Sequence, residues 1–213
     1  VRQLAINPDQ LWWFYLSLLG GGFIAMLPAM IFAEKRNAQK NIFVLAVALM
    51  TIAMLVLGST DGVVLTVSML FIYFAAFNLL EALLPSWLSK VCPVGNRGTA
   101  MGIYSSCQFL GTFTGGILGG FALANVGIDG LFWLLGLMLL FWCFVAATMA
   151  SPKPLQTLIL QVGETKASDF VKSISNIVGV EDILLIEGED LAYVKVNKNL
   201  IDLESIQPFL NRT

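Results

Sequence analysis

The chain has 213 residues, 57% of them hydrophobic and 12% charged, with a formal net charge of −2 and no histidine. A mean hydropathy of +0.81 excludes the soluble classes and points to a bilayer as the solvent for much of the chain. Three cysteines without paired spacing exclude a disulfide framework.

Five apolar stretches follow one another, over residues 11–33, 42–58, 63–88, 99–125 and 130–150. A hydrocarbon core about 30 Å thick needs roughly 20 apolar residues at 1.5 Å rise each. Free backbone groups find no water there, so stretches of this length are predicted to be helices. Charge alternates across the breaks. Glu34, Lys35, Arg36 and Lys40 follow the first stretch, Lys90 and Arg97 flank the break before the fourth, and Lys153 follows the fifth. The opposite breaks hold Asp61 and Asp129 with no Lys or Arg. The positive-inside rule therefore puts the basic breaks and the C-terminus in the cytoplasm. The start at Val1 is expected to mark a fragment cut on the outer side just before a span.

Within the first stretch, Gly20-Gly21-Gly22 and Pro28 weaken the helix and mark either a close-packing site or a bend. In the third, Glu81 lies nine residues before Lys90, on the order of 13 Å from the membrane edge. A lone charge at that depth costs roughly 2.5–3.5 kcal/mol, so it should face the bundle interior or water, or be protonated. Asn78 sits one turn earlier on the same face and is expected to be within hydrogen-bonding reach of it. Pro85 removes the backbone donor for the carbonyl of Glu81. Glu81 reads either as a proton- or cation-responsive carboxylate in a pathway or as a structural carboxyl pinning helices together.

In the fourth stretch, Tyr104 and Gln108 share a face and either line the same cavity or bond across a helix interface. Gly111, Gly115 and Gly119 recur every four residues, and Gly116 and Gly120 repeat the spacing. Such a face admits a second backbone closely, for static packing or for sliding.

Residues 151–213 carry nine acidic and six basic residues and form a separate acidic segment. Residues 157–162 alternate as a strand. Ser168 is a candidate cap for a helix whose stripe is Phe170, Val171, Ile174, Ile177 and Val178, ending at Gly179. Residues 180–187 and 191–197 read as strands around a turn at Gly188-Glu189-Asp190, and Asp202 as the cap of a last helix. The order is that of a split βαβ unit. The loop after the first strand has no thiol, which argues against metal carriage. The predicted fold class is thus an all-α membrane helical bundle over 1–150, followed by a small α+β domain over 151–213. The acidic domain is expected to dock near Lys35, Arg36 and Lys40.

The stretch from Phe32 to Lys40 resembles the degenerate second-half copy of a loop motif of the major facilitator superfamily, whose first-half form is roughly Gly-x-Leu-Ala-Asp-Arg-x-Gly-Arg. Glu34 takes the Asp place, Lys35 the Arg place, and Arg36 and Lys40 the trailing basic places, while the glycines are absent. A longer match is more specific. Phe77-Asn78-Leu79-Leu80-Glu81-Ala82-Leu83-Leu84-Pro85-Ser86, then Pro93, then Arg97-Gly98-Thr99-Ala100-Met101-Gly102, then Gln108-Phe109-Leu110-Gly111 resemble helices ten and eleven of the YajR-type group. That group lies in the drug:proton antiporter branch and carries a C-terminal ferredoxin-like domain. The resemblance implies that the five stretches are helices eight to twelve of a multi-pass protein of the bacterial inner membrane, with helix seven and the N-terminal helical half elsewhere. Two six-helix bundles would rock about a midplane site.

The implied function is proton-coupled export of small, amphipathic compounds, with Glu81 as the second-half carboxylate. The expected partners are a small-molecule substrate, protons, the lipid bilayer and the missing helices, with no nucleic acid, metal or cofactor. The alternative is a membrane-anchored sensor or scaffold whose tail binds a ligand. An enzyme is not expected, because there is no metal-ligand cluster and no nucleophile–base pair.

Overall fold

The computed structural model describes residues 11–151, 155–162, 167–185, 191–197 and 200–201. Four helices in it are long and apolar enough to cross a membrane: α1 (Leu11–Lys35), α2 (Gln39–Leu57), α3 (Val63–Val91) and α4 (Arg97–Thr148). The last is two span-length arms meeting at Gly127, whose φ of 69° and ψ of −176° are not helical. The break expected across 125–129 therefore narrows to one residue. A side chain is disfavoured at that φ, and glycine is the residue that accepts it.

α1 runs unbroken through Gly20-Gly21-Gly22 and Pro28. Gly21 and Gly22 form a packing site. A Cβ on Gly22 would stand 3.0 Å from the backbone nitrogen of Ala75, and one on Gly21 would stand 2.9 Å from the Phe71 ring. α3 therefore lies against the backbone of α1. Met26, Ala46, Met50, Ala76 and Leu79 join α1, α2 and α3 in one buried cluster, with Leu139 of α4 packed against it. A Cβ on Gly136 would meet Leu55, so the second arm of α4 lies close on α2.

α1 stops by a defined device. Asn37 takes a left-handed φ of 48°. Ala38 N donates to Ala33 O at 2.9 Å and Asn37 N to Glu34 O at 3.4 Å. This pair of bonds is the Schellman closure, with Asn where Gly is more usual. Lys35 and Arg36 then lie at the negative end of the helix dipole, where cations are favoured.

The chain divides into two compact units. One holds α1, α2 and the greater parts of α3 and α4. The other holds residues 87–104, which are the end of α3, the turn Val94–Asn96 and the start of α4, together with the C-terminal domain. That domain contains β1 (Leu155–Gln161), α5 (Ala167–Ser175), β2 (Val180–Leu185) and β3 (Leu191–Asn197). The sheet order is β1-β3-β2, antiparallel throughout. β3 fills the gap that the β1–α5–β2 crossover leaves, which is the split βαβ arrangement. Leu160, Phe170, Ile174, Ala192, Val194 and Val196 form its core.

The expected helix stripe is too long. α5 ends at Ser175, and Val178 is 72% exposed. Gly179, at a φ of 98°, turns the chain into β2. The expected turn at 188–190, the side chain of Ser168 and the last helix from Asp202 lie outside the described residues.

Candidate functional site

α3 positions Glu81 and Asn78, and α4 positions Gln108 and Tyr104. Gln108 Nε2 donates to both oxygens of Glu81, at 2.8 and 3.0 Å. The amide turns its NH₂ towards the carboxyl oxygens, which accept. Glu81 is exposed and Gln108 half-buried, which leaves the pair open to one side. Pro85, inside α3, leaves the backbone carbonyl of Glu81 without its usual helical donor. Two acceptor groups of the same residue thus sit together at a local weakness of the helix.

Asn78 behaves differently from the sequence expectation. Its Nδ2 donates across to Leu19 O on α1, at 3.4 Å, rather than towards Glu81. The close approach at Gly22 brings that carbonyl within reach, because the same Nδ2 lies 3.1 Å from where a Cβ of Gly22 would be. Tyr104 stands one helical turn before Gln108 and is half-buried.

Several other polar side chains of the helices are satisfied within their own helix. Thr51, Thr112, Thr114 and Asn125 each donate to a carbonyl of their own helix, at 2.7 to 2.9 Å. Such back-bonding needs no partner helix. Gln108 and Asn78 stand apart from these because they reach across.

The glycine face of α4 is uncovered among the described residues. A Cβ on Gly111, Gly115, Gly116, Gly119 or Gly120 would meet no atom within 4 Å. Glu34 and Lys35 end α1, Arg36 and Asn37 make the turn, and Lys40 opens α2. The Arg36 guanidinium lies 5.8 Å from the centre of the Phe32 ring, within cation–π range. Cys92, Cys107 and Cys143 are free thiols. No group of three His, Cys, Asp or Glu side chains suited to a metal gathers among the described residues.

One residue escaped the sequence reading. Lys195, on β3, is only 4% exposed, and its Nζ donates to the backbone carbonyl of Cys92. Strand alternation sets it on the face opposite Val194 and Val196. Nothing in the local sequence says what covers that face.

Comparison with known proteins agrees with this architecture. The sequence model of the Major Facilitator Superfamily matches residues 1–184. The chain is similar to the inner membrane transport protein YajR of Escherichia coli K12, with 34% identity over 200 residues, covering 92% of this chain and 44% of that protein. An uncharacterized transporter of Buchnera aphidicola subsp. Baizongia pistaciae is 31% identical over 109 residues, covering 50% of this chain and 27% of its own length. A second, of Buchnera aphidicola subsp. Acyrthosiphon pisum, is 29% identical over 108 residues, covering 50% of this chain and 28% of its own length. The chain thus spans less than half the length of the curated relatives it matches. Its apolar helices and the family match make it part of a multi-pass membrane protein, and the chain belongs to the Major Facilitator Superfamily.

Proposed function

We propose that this chain supplies the second-half helices of a proton-coupled secondary transporter that exports small amphipathic compounds from the cytoplasm across the bacterial inner membrane. The bond between Glu81 and Gln108 is the observation that carries the reading. It joins an ionisable group at mid-depth of one apolar helix to the neighbouring apolar helix. Intramembrane carboxylates of this kind commonly mark ion and proton pathways. Protonation of Glu81 would remove the charge that Gln108 accommodates and loosen α3 from α4 at that level. Release of the proton would restore the pair. Asn78 and Tyr104 border the same pathway, and Glu34, Lys35, Arg36 and Lys40 form a cytoplasmic loop that opposes its counterpart in the other half.

The glycine face of α4, from Gly111 to Gly120, receives a helix of the N-terminal half. Small residues at that spacing allow two backbones to approach in lipid, where there is no hydrophobic drive to bring them together. Residues 151–213 form a cytoplasmic domain appended to the last span. A bare anchor for a sensor would need neither a mid-depth carboxylate nor a partner amide.

The deciding measurement is gradient-driven flux of a lipophilic cation in vesicles holding the full-length protein. Glu81→Gln keeps the size and the hydrogen-bonding reach but cannot cycle a proton. Its flux is expected to become insensitive to an imposed pH gradient. A variant that follows the gradient as the parent does would remove Glu81 from the coupling.

A further inference from the structure

A two-layer β-sheet domain covers one sheet face with its helix and leaves the other to solvent, yet Lys195 and Asn197, on that second face, are 4% and 6% exposed. The cover over Lys195 comes from the segment between α3 and α4. Lys195 Nζ donates to Cys92 O, just past the end of α3, and Cys92 is itself 7% exposed. Leu184 of β2 shares this face, because it pairs in register with Tyr193 of β3. Its Cδ1 lies 3.3 Å from where a Cβ of Gly95 would stand. The segment and the domain belong to one compact unit.

The chemistry of the contact is specific. The last carbonyls of an α-helix lack intrahelical partners and carry the negative end of its dipole. An ammonium is a strong partner for them, and a lysine side chain commonly plays that role from within the same helix. Here the cation arrives from a residue 103 positions away. A buried ammonium deprived of an acceptor is costly; the carbonyl of Cys92 serves Lys195 here, and Asp182 stands opposite Lys195 in register on β2. Gly95 suits the close approach of the turn to the sheet: a Cβ there needs Leu184 to give by a few tenths of an ångström, and a bulky side chain would have to displace it.

We infer that the C-terminal domain is docked on the α3–α4 turn by Lys195, which caps α3 in trans, so that turn and domain move as one body. α3 and α4 also carry Glu81 and Gln108. A domain fixed across their junction restrains how far the two helices separate at that end. This consequence rests on the proposed transport role, whereas the docking itself does not.

The test is lysine acylation of the full-length protein in membrane vesicles, read site by site by mass spectrometry. Lys172 on α5 is exposed and serves as the internal reference. Lys195 is expected to react at least about tenfold more slowly than Lys172, as a group that reacts only when its contact opens. Equal rates at the two lysines would overturn the proposal. Gly95→Trp, outside the sheet, is expected to bring Lys195 to within about twofold of Lys172 while β3 amides stay protected from exchange. Lys195 that remains slow in that variant would show that its burial does not come from the turn, and the proposal would fall. Both readouts are independent of flux, so loss of transport activity would leave this result standing.

Discussion

Gln108 grips both oxygens of Glu81 from the neighbouring helix, whereas Asn78, one turn away on α3, is committed to the backbone of Leu19 on α1. The two contacts of α3 differ in kind. Against α1 the backbones themselves touch, with Ala75 N 3.0 Å from a Cβ placed on Gly22. Against α4, the contact at the level of Glu81 is a pair of long side chains, with Leu139 of α4 packed on the shared cluster elsewhere. Close-packed backbones behave as a unit, while a side-chain pair can part and reform. On the proposed transport role, α3 would stay with α1 and part from α4 at the level of Glu81.

The pair should show measurable coupling. A hydrogen bond to a charged group contributes about 1.5–3 kcal/mol. A double-mutant cycle with Glu81→Leu and Gln108→Leu, read from the unfolding of the full-length protein in detergent, is expected to return a coupling energy of at least about 1 kcal/mol. Additive effects would mean that the two side chains do not meet in the folded protein. Gln108→Leu alone is expected to lower flux, because the carboxylate loses its donor and the helices lose their register.

The glycines of α1 make a second, opposite prediction. Gly22→Leu is crowded from its Cβ on, since besides Asn78 Nδ2 the atoms it would meet are the Ala75 nitrogen and the Phe74 carbonyl carbon. Backbone cannot step aside as a flexible side chain can. The expected cost is about 1–3 kcal/mol of overpacking, with the Asn78–Leu19 bond broken as α3 is pushed away. Gly20→Leu, where no atom lies within 4 Å, is expected to be tolerated. Comparing the two variants by denaturant unfolding separates packing from helix propensity, because both remove one glycine from the same helix.

Much of this architecture is legible in the sequence, for physical reasons that also mark the limit. The apolar stretches announced the helices, because length and hydropathy alone decide what a bilayer admits. β3 begins and ends where its alternation does, at Leu191 and Asn197. Partners across helices were not legible. Spacing along one helix made Asn78 look like a partner for Glu81, while the carbonyl it bonds lies 59 positions away. Lys195 was hidden for the same reason. A lysine in an alternating strand reads as solvent-facing, and its acceptor belongs to a distant turn. Val178 was read into the stripe of α5 because its spacing fits, but the helix stops three residues short of it, before the turn that Gly179 completes.

Gly127 carries the last prediction. At a φ of 69° and a ψ of −176° it occupies a region that residues with a Cβ reach only under strain, on the order of 1–3 kcal/mol. No neighbour crowds it, because a Cβ there would meet nothing within 4 Å. Any penalty for Gly127→Ala is therefore one of backbone conformation, free of steric overlap. Gly127→Ala is expected to destabilise the full-length protein by that strain, or to shift the junction between the two arms of α4 and carry the second arm off α2. The second outcome would appear as increased exposure of Gly136 and Leu55 to amide exchange. A single residue leaves almost no slack between two spans, so whatever moves the first arm must also move the second. An unchanged stability in Gly127→Ala would mean that the arms meet through a longer, softer link.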